Sequence, residues 1–386
     1  MQYFNHLHFE GFRRLSNFQL ELRPLCVLIG ANASGKTSVL DALSLLAQSA
    51  GGRLKKTLSD MGGINANLTG GDAPWMRFNV STTTAGGEPI HYRLALKPQG
   101  VGYEIDDEVL YLQNPGSPFL GYIQSLHGTT RYLGSAEIAS GQHKLVPPRR
   151  QPEPGETALS IDPGPFVESI DFFKQLASCT HCHTLDVGPR SPVRLPQPMR
   201  PADLPGVDGE DLVSCLYSIR ETDRDRFDLI EETLRAGFHD FQRLDFPPVA
   251  AGTLAMIWRD NRFSKPFYMH QLSEGVLRFL WLVTLLQSPG LPAVTLIDEP
   301  EVSLHPELLG LLADLLREAS MRTQLIVATH ADRLVRFLEP KEVVAMDLKE
   351  DGTTNAAWAD TLDLDAWLKE YTLDEVWGMG RMGARS

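Results

Sequence analysis

At 386 residues the chain is long enough for two or three substructures around a large core. Its 42% hydrophobic and 22% charged residues are ordinary for a water-soluble globular protein, and its longest apolar stretch, 276–286, is broken by Arg278 and falls short of the ~20 residues a bilayer span needs. A net charge of -13 excludes a protein whose whole surface grips nucleic acid, though not a local basic groove.

Near the amino terminus Phe4, Leu7 and Phe9, then Phe18, Leu20 and Leu22, alternate with polar residues on either side of Gly11-Phe12-Arg13-Arg14. This spacing predicts two antiparallel strands. They lead into the apolar run Leu25-Cys26-Val27-Leu28-Ile29, a buried strand, and then into Gly30-Ala31-Asn32-Ala33-Ser34-Gly35-Lys36-Thr37. That octapeptide has every part of a phosphate-binding loop. Gly30 and Gly35 allow a tight turn, so that successive N–H groups converge on the β-phosphate at the start of the next helix. Lys36 reaches the β- and γ-phosphates, and the Thr37 hydroxyl ligates Mg²⁺. Residues 38–46 carry apolar side chains at helical spacing, which supplies the required strand, loop and helix. Gly30, Asn32, Ala33, Ser34, Gly35, Lys36, Thr37 and Ser38 are therefore the candidate contacts to ATP.

From 78 to 112 short alternating runs divided by glycine predict a β-meander. Twelve of the chain's 26 prolines fall between Pro147 and Pro205, which rules out a long helix there, although 166–176 has a helical pattern. Within this stretch Cys179-Thr180-His181-Cys182-His183 formally matches a c-type haem attachment and half of a zinc site. The plainer reading is a few buried or edge residues, as for Cys26 and Cys215. Basic residues at Arg53, Lys55, Lys56, Lys144, Arg149, Arg150, Arg190, Arg194 and Arg200 are either local DNA contacts or solvated surface. Amphipathic helices resume at 210–220 and 225–236.

A second block of chemistry follows. Leu272-Ser273-Glu274-Gly275 precedes an apolar helix over 276–287 and offers an exposed helix N-terminus, a second anion site. Ala293-Val294-Thr295-Leu296-Ile297 reads as a buried parallel strand delivering Asp298 and Glu299 to its carboxyl end. Asp298 suits the Mg²⁺ shell and Glu299 suits polarisation of the attacking water. Gln324-Leu325-Ile326-Val327-Ala328 ends in Thr329-His330, so that His330 emerges on the same edge and can hydrogen-bond the γ-phosphate. Residues 343–348 with Lys349-Glu350-Asp351-Gly352 predict a strand and hairpin turn. Residues 364–377 predict an amphipathic helix whose aromatics serve a partner surface or pack on the body.

Taken together, these blocks resemble the ABC-type ATPase superfamily. Phe9-Glu10-Gly11-Phe12-Arg13-Arg14-Leu15, the phosphate loop (Walker A), and Asp298-Glu299-Pro300-Glu301-Val302-Ser303-Leu304-His305-Pro306 (Walker B with its D-loop) resemble the RecF and SMC-like branch in particular. The signature reads Leu-Ser-Glu-Gly where transporters have a double glycine and glutamine, and none of Gln99, Gln113 and Gln124 stands out as the Q-loop residue. The chain also resembles AAA-family stand-alone ATPases, both OLD-type relatives without their nuclease domain and the ATPase subunits of anti-phage defence modules. Residues 371–380 are similar to the endings of such subunits encoded beside a separate effector.

The resemblance implies an α/β fold: a P-loop ABC-type head with a mainly parallel core sheet, an antiparallel β subdomain and a helical signature subdomain. It implies a lobe with Walker A and the meander over 1–135, a proline-rich and helical insertion over 136–270, the signature, Walker B, D-loop and switch histidine over 271–345, and a hairpin with amphipathic helix over 346–386. It also implies a head-to-head homodimer around ATP and Mg²⁺. Lys36, Thr37, Asp298, Glu299 and His330 of one copy then face Ser273 and Gly275 of the other, with Arg13 against the nucleotide. Lys36, Glu299 and His330 are the implied catalytic residues, and Thr37 and Asp298 the Mg²⁺ ligands. The expected function is an ATP-hydrolysing cytoplasmic switch, without membrane association, that controls a separate nuclease-type effector in anti-phage defence or DNA repair, with DNA as a further partner. The alternatives are a nucleotide-gated scaffold that restrains a toxic partner with little turnover, and a transporter ATPase subunit.

Overall fold

The computed structural model describes residues 3–113, 120–126, 129–133, 145–147, 152–250, 252–364 and 366–382. Lys144, Arg149 and Arg150 of the basic scatter lie outside them. The chain opens with antiparallel strands Phe4–Phe12 (β1) and Leu15–Glu21 (β2), in register with Phe9 opposite Phe18. Strand Leu25–Ile29 (β3) is buried at all five positions and feeds helix Lys36–Ala50 (α1), followed by Leu54–Asp60 (α2). The meander is longer than the sequence pattern suggests: Met76–Thr83 (β4), Pro89–Gln99 (β5), Gly102–Leu112 (β6), Leu120–Leu126 (β7), Thr129–Leu133 (β8) and Leu145–Val146 (β9). With β1 and β2 these make an eight-stranded antiparallel sheet, ordered β2-β1-β4-β5-β6-β7-β8-β9. It is the largest sheet among the described residues.

Helix Val167–Ala177 (α3) leads into a short strand, Thr180–Cys182 (β10). A helical lobe follows, with Gln197–Pro198 (β11), Leu212–Thr222 (α4) and Arg224–Gly237 (α5), then Phe241–Asp245 (β12), Pro248–Ala250 (β13), Thr253–Leu254 (β14), Ile257–Asp260 (β15) and Phe267–Tyr268 (β16) in two small antiparallel sheets. The remaining elements are Glu274–Gln287 (α6), Val294–Asp298 (β17), Leu308–Ser320 (α7), Gln324–Ala328 (β18), Asp332–Val335 (α8), Val343–Leu348 (β19), Thr354–Trp358 (β20) and Leu373–Gly378 (α9).

The core sheet has six strands in the order β10-β17-β18-β3-β19-β20. Its first four pairings are parallel, and only β19–β20 is antiparallel. The parallel arrangement expected for the core thus describes this sheet but not the chain as a whole, whose larger sheet is antiparallel. Side-chain alternation divides the sheet into two apolar faces. Leu25, Val27, Ile29, Leu325 and Val327 pack with the helical lobe, whereas Cys26, Leu28, Leu296, Ile326 and Ala328 pack with α1 and the antiparallel sheet. Strand β19 crosses the 345/346 division, and β20 closes the same sheet.

The carboxyl-terminal helix differs from the sequence pattern. It spans only Leu373–Gly378, begins at a Thr372/Glu375 capping box, and follows a run of turns. Leu373, Val376 and Trp377 are buried in the helical-lobe core, so these apolar residues pack on the body. Fourteen residues of apolar spacing became a helix of six because the capping box starts it late.

A buried carboxylate ties the antiparallel sheet to α1. Glu108 on β6 is 1% exposed and accepts hydrogen bonds from the Tyr92 hydroxyl (3.0 Å) and from the backbone N–H groups of Ala158 (2.7 Å) and Leu159 (2.9 Å). The same segment bonds α1 through Thr157 Oγ1 to the Ser49 carbonyl, and Glu156 accepts from the first N–H groups of α2. Glu108→Ala strands three buried donors and is expected to lower the free energy of unfolding by about 3 kcal/mol in urea titrations. Burial pushes the Glu108 carboxyl up to about 7. The native chain therefore holds this proton more tightly than the unfolded chain, and the associated stability, full below pH ~4.5, is lost as pH rises through about 7. The melting temperature of Glu108→Gln is expected to fall less between pH 5 and 8 than that of the native chain.

Candidate nucleotide and metal site

Parallel register brings the candidate residues to one sheet edge. Asp298 is opposite Ala328 and Ala328 opposite Leu28, so the residues after β17, β18 and β3 leave the sheet side by side. The ladder runs slightly further, with Glu299 N–H bonded to the Ala328 carbonyl (2.8 Å) and Thr329 N–H to the Leu28 carbonyl (3.1 Å). Glu299 itself lies in the left-handed region at φ 50°, a conformation that costs about 1 kcal/mol without glycine and that turns its side chain off the strand direction.

The phosphate loop is held from an unexpected quarter. A Cβ on Gly30 (φ 155°) would lie 2.2 Å from the Met346 carbonyl oxygen, and one on Gly35 (φ 100°) 2.5 Å from Thr354 Oγ1. Thr354 donates its hydroxyl to the Ser34 carbonyl (2.9 Å). The hairpin β19–β20 is thus the backing of the loop, and glycine is required by close approach as well as by φ. The Lys36 ammonium, 3% exposed, donates to the carbonyls of Gly30 (2.7 Å) and Ala31 (2.9 Å). Burial lowers its pKa to about 8 against the pull of Asp298, Glu299 and Glu301. Arg13, Arg14, Ala33, Ser34, Gly35, Lys36, Thr37, Ser38 and His330 line one open recess of about 540 Å³. Asn32 is exposed in the loop beside it.

Around this recess the charges are coupled. Burial raises the Asp298 carboxyl, as does neighbouring Glu299, while the Thr37 side chain favours its charged form. Thr37 and Asp298 therefore present hard oxygen donors side by side, which fits Mg²⁺. The His330 ring lies 3.7 Å from the Glu299 carboxylate; burial and Lys36 lower its pKa. Arg13 is engaged within the chain, by an ion pair to Asp41 on α1 and a 2.9 Å bond to Asn67 Oδ1. Arg14 also lines the recess, with a 3.2 Å bond to the Gly352 carbonyl.

Ser273 caps α6 by accepting from Val276 N–H (3.4 Å), while Gly275 packs against the D-loop, where a Cβ would lie 2.6 Å from the Ser303 carbonyl. Neither residue lines the recess of its own chain. Arg194, read from sequence as a surface cation, donates to the carbonyl of Leu272 (2.9 Å) and so fixes the entry to the signature. Arg200 pairs with Asp211. Both are committed to the fold.

Several site residues lacked a sequence signal. Gln99, Gln113 and Gln124 sit on or beside strands of the antiparallel sheet. The neighbour of the Asp298 strand is instead β10, paired in parallel with Cys182 opposite Ile297, and it delivers His183 to the edge. Cys179 and Cys182 are buried in separate apolar clusters with thiol pKa values raised by burial. Neither thiol groups with His183; the ligand-type atoms that lie within 4.8 Å of it belong to His181 and Asp298. Glu301 of the D-loop is half-buried, with one oxygen accepting from Thr329 (2.6 Å) and the other enclosed without a partner. Arg278 on α6 has buried Nε and Nη1 atoms without partners and lines a cleft with His183, Asp298 and Glu299. These contacts join residues far apart in sequence.

Comparison with known proteins bears on the family and the fold. A family model described as "AAA domain, putative AbiEii toxin, Type IV TA system" matches residues 25–127 and 165–336. No curated protein matches the chain. Among solved structures, an Smc head bound to the C-terminal winged-helix domain of ScpA is 14% identical, with TM-score 0.57, over 92% of this chain and 97% of its own. The Smc head with an extended coiled coil bound to the C-terminal domain of ScpA from Pyrococcus furiosus is 12% identical, with TM-score 0.56, over 96% and 98%. An Smc head from Pyrococcus yayanosii is 12% identical, with TM-score 0.51, over 96% and 99%. At these identities the likeness concerns the fold. With its phosphate loop and Asp298-Glu299 edge in place on a fold similar to Smc heads, the chain belongs to the AAA-domain family described by that model.

Proposed function

We propose that this chain is an ATP-hydrolysing switch that closes head to head with a second copy around the nucleotide and thereby controls a separately encoded effector. The observation that carries the reading is the division of the machinery. Lys36, Thr37 and His330 line one recess with Asp298 and Glu299 beside it at the same sheet edge, whereas Ser273 and Gly275 stand outside that recess. A helix N-terminus with a serine cap is an anion site in search of an anion, and the γ-phosphate on a second copy supplies one. ATP then acts as the adhesive, and its hydrolysis releases the pair.

In this reading Lys36 gives up the Gly30 and Ala31 carbonyls for the β- and γ-phosphates, Thr37 and Asp298 hold Mg²⁺, Glu299 orients the attacking water and His330 reports the γ-phosphate. Mg²⁺ neutralises charge as it develops between the β- and γ-oxygens. A nuclease-type effector, in anti-phage defence or DNA repair, is the partner that fits. The family's description names a toxin system, and two similar heads carry a bound ScpA domain. DNA is a further candidate partner through the Arg53, Lys55 and Lys56 patch. No described helix is long and apolar enough to cross a membrane.

Lys36→Ala removes charge-assisted bonds to the triphosphate and is expected to weaken ATP binding about 100-fold in calorimetric titration. Glu299→Gln is expected to slow hydrolysis at least ~100-fold and to accumulate an ATP-bound dimer in light scattering; normal turnover in that variant would remove Glu299 from its role. Ser273→Arg should bind ATP as a monomer and fail to dimerise. A native chain that dimerises with ATP yet hardly turns over, with or without DNA, would favour the scaffold that restrains a toxic partner.

A further inference from the structure

Strand β10 carries something that nucleotide binding does not require. His181 and His183 sit two residues apart on the same side of the strand, with ring centroids 3.9 Å apart. One nitrogen from each ring and one carboxylate oxygen of Asp298 lie within 4.8 Å of one another. The His181 side chain is 5% exposed, and its Nε2 is buried without a hydrogen-bond partner. A buried imidazole nitrogen left bare is unfavourable, and a bound ion is one way to meet it. On the other side of the same ring, His181 Nδ1 is 3.8 Å from the Asp41 carboxylate, and Asp41 is held by Arg13. At that distance Asp41 lies behind the ring as a neighbouring charge and not as a hydrogen-bond acceptor.

The donor set selects the ion. Mg²⁺ takes oxygen ligands and keeps its waters, whereas two imidazoles with one carboxylate suit zinc, cobalt, iron or nickel. Such ligands around one ion stand about 3.3 Å apart, so side-chain rotations of roughly an ångström close the site. Cys179 and Cys182 take no part, since both are buried in the apolar clusters. Of the nearby cations, Lys36 is drawn to Asp298 and Glu299, Arg278 lines a cleft with the same two carboxylates, and Arg13 pairs with Asp41.

We propose that His181, His183 and Asp298 form a binding site for a divalent transition-metal ion beside the phosphate loop. The ion binds without nucleotide. Its second consequence, which rests on the ATP-binding reading, is that occupancy claims Asp298 and so regulates which metal the triphosphate meets.

The test uses the full chain, stripped of metal with a chelator and titrated with Co²⁺ and, separately, Zn²⁺ in the absence of nucleotide. One ion per chain is expected by calorimetry, with a visible Co²⁺ spectrum of nitrogen and oxygen ligands. His181→Ala and His183→Ala should each weaken binding at least ~10-fold. His183 is exposed, so loss of binding in that variant cannot be laid to unfolding. Lys36→Ala should keep the ion while losing ATP, which separates failure of this site from failure of the ATP reading. No binding at millimolar ion, binding unchanged in both histidine variants, or a thiolate-type Co²⁺ spectrum would each overturn the proposal.

Discussion

Each reacting group of the site owes its position to the hydrogen-bond register of the parallel strands. Strand β17 ends in Asp298 and Glu299, β18 in Thr329 and His330, and β3 in Gly30, and the pairing of Asp298 with Ala328 and of Ala328 with Leu28 sets these ends level. A shift of one residue would exchange the two apolar faces of the sheet, sending Leu28 toward the helical lobe and Val27 toward α1. The apolar packing that determines the fold is therefore also what aligns the chemistry.

The edge is buttressed from both ends of the chain. Met346 and Thr354, more than 300 residues from Gly30, close on the phosphate loop and leave no room for a Cβ at Gly30 or Gly35. The antiparallel sheet reaches the other end of α1 through Glu108 and the 156–159 segment. Helix α1 is thus fixed at its first turn by the loop and at its last by Thr157, with Asp41 between them linked to Arg13 and His181. Movement of the nucleotide edge relative to either sheet has to pass through these contacts.

The edge is also where the chain departs most from the rules the rest of it obeys. Glu299 and Ser303 adopt positive φ without being glycine, Lys36 spends its charge on carbonyls, and Glu301, Arg278 and His181 each leave a buried polar atom without a partner. Buried Glu108 and Gln324 are fully bonded, while Gln287, Asp374 and Trp377 also leave a buried atom without a partner away from the edge. A concentration of backbone strain at one place is expected where ligands complete the structure.

Local chemistry was legible in the sequence because it is contiguous. The phosphate loop needs its glycines, lysine and threonine within eight residues of a strand, and Asp298-Glu299 and His330 follow apolar runs whose continuity marks strands buried on both faces. The β1–β2 pair and the β19–β20 hairpin were equally visible, since alternation and turn residues are nearest-neighbour signals. Tertiary structure alone decided the rest. Strand β10 is three residues long and lies in proline-rich sequence, so nothing local marks it as the neighbour of β17, and its histidines resembled part of a cysteine motif until the strand's alternation separated them. Arg194 looked like a surface cation because its acceptors are carbonyls, which no side-chain pattern reveals. The 364–377 pattern promised a long helix, but apolar spacing cannot say that a capping box at Thr372 will start it late and bury Trp377. Motifs of adjacent residues are written in the chain, whereas contacts across hundreds of residues depend on which faces pack, and that is settled only when the whole core forms.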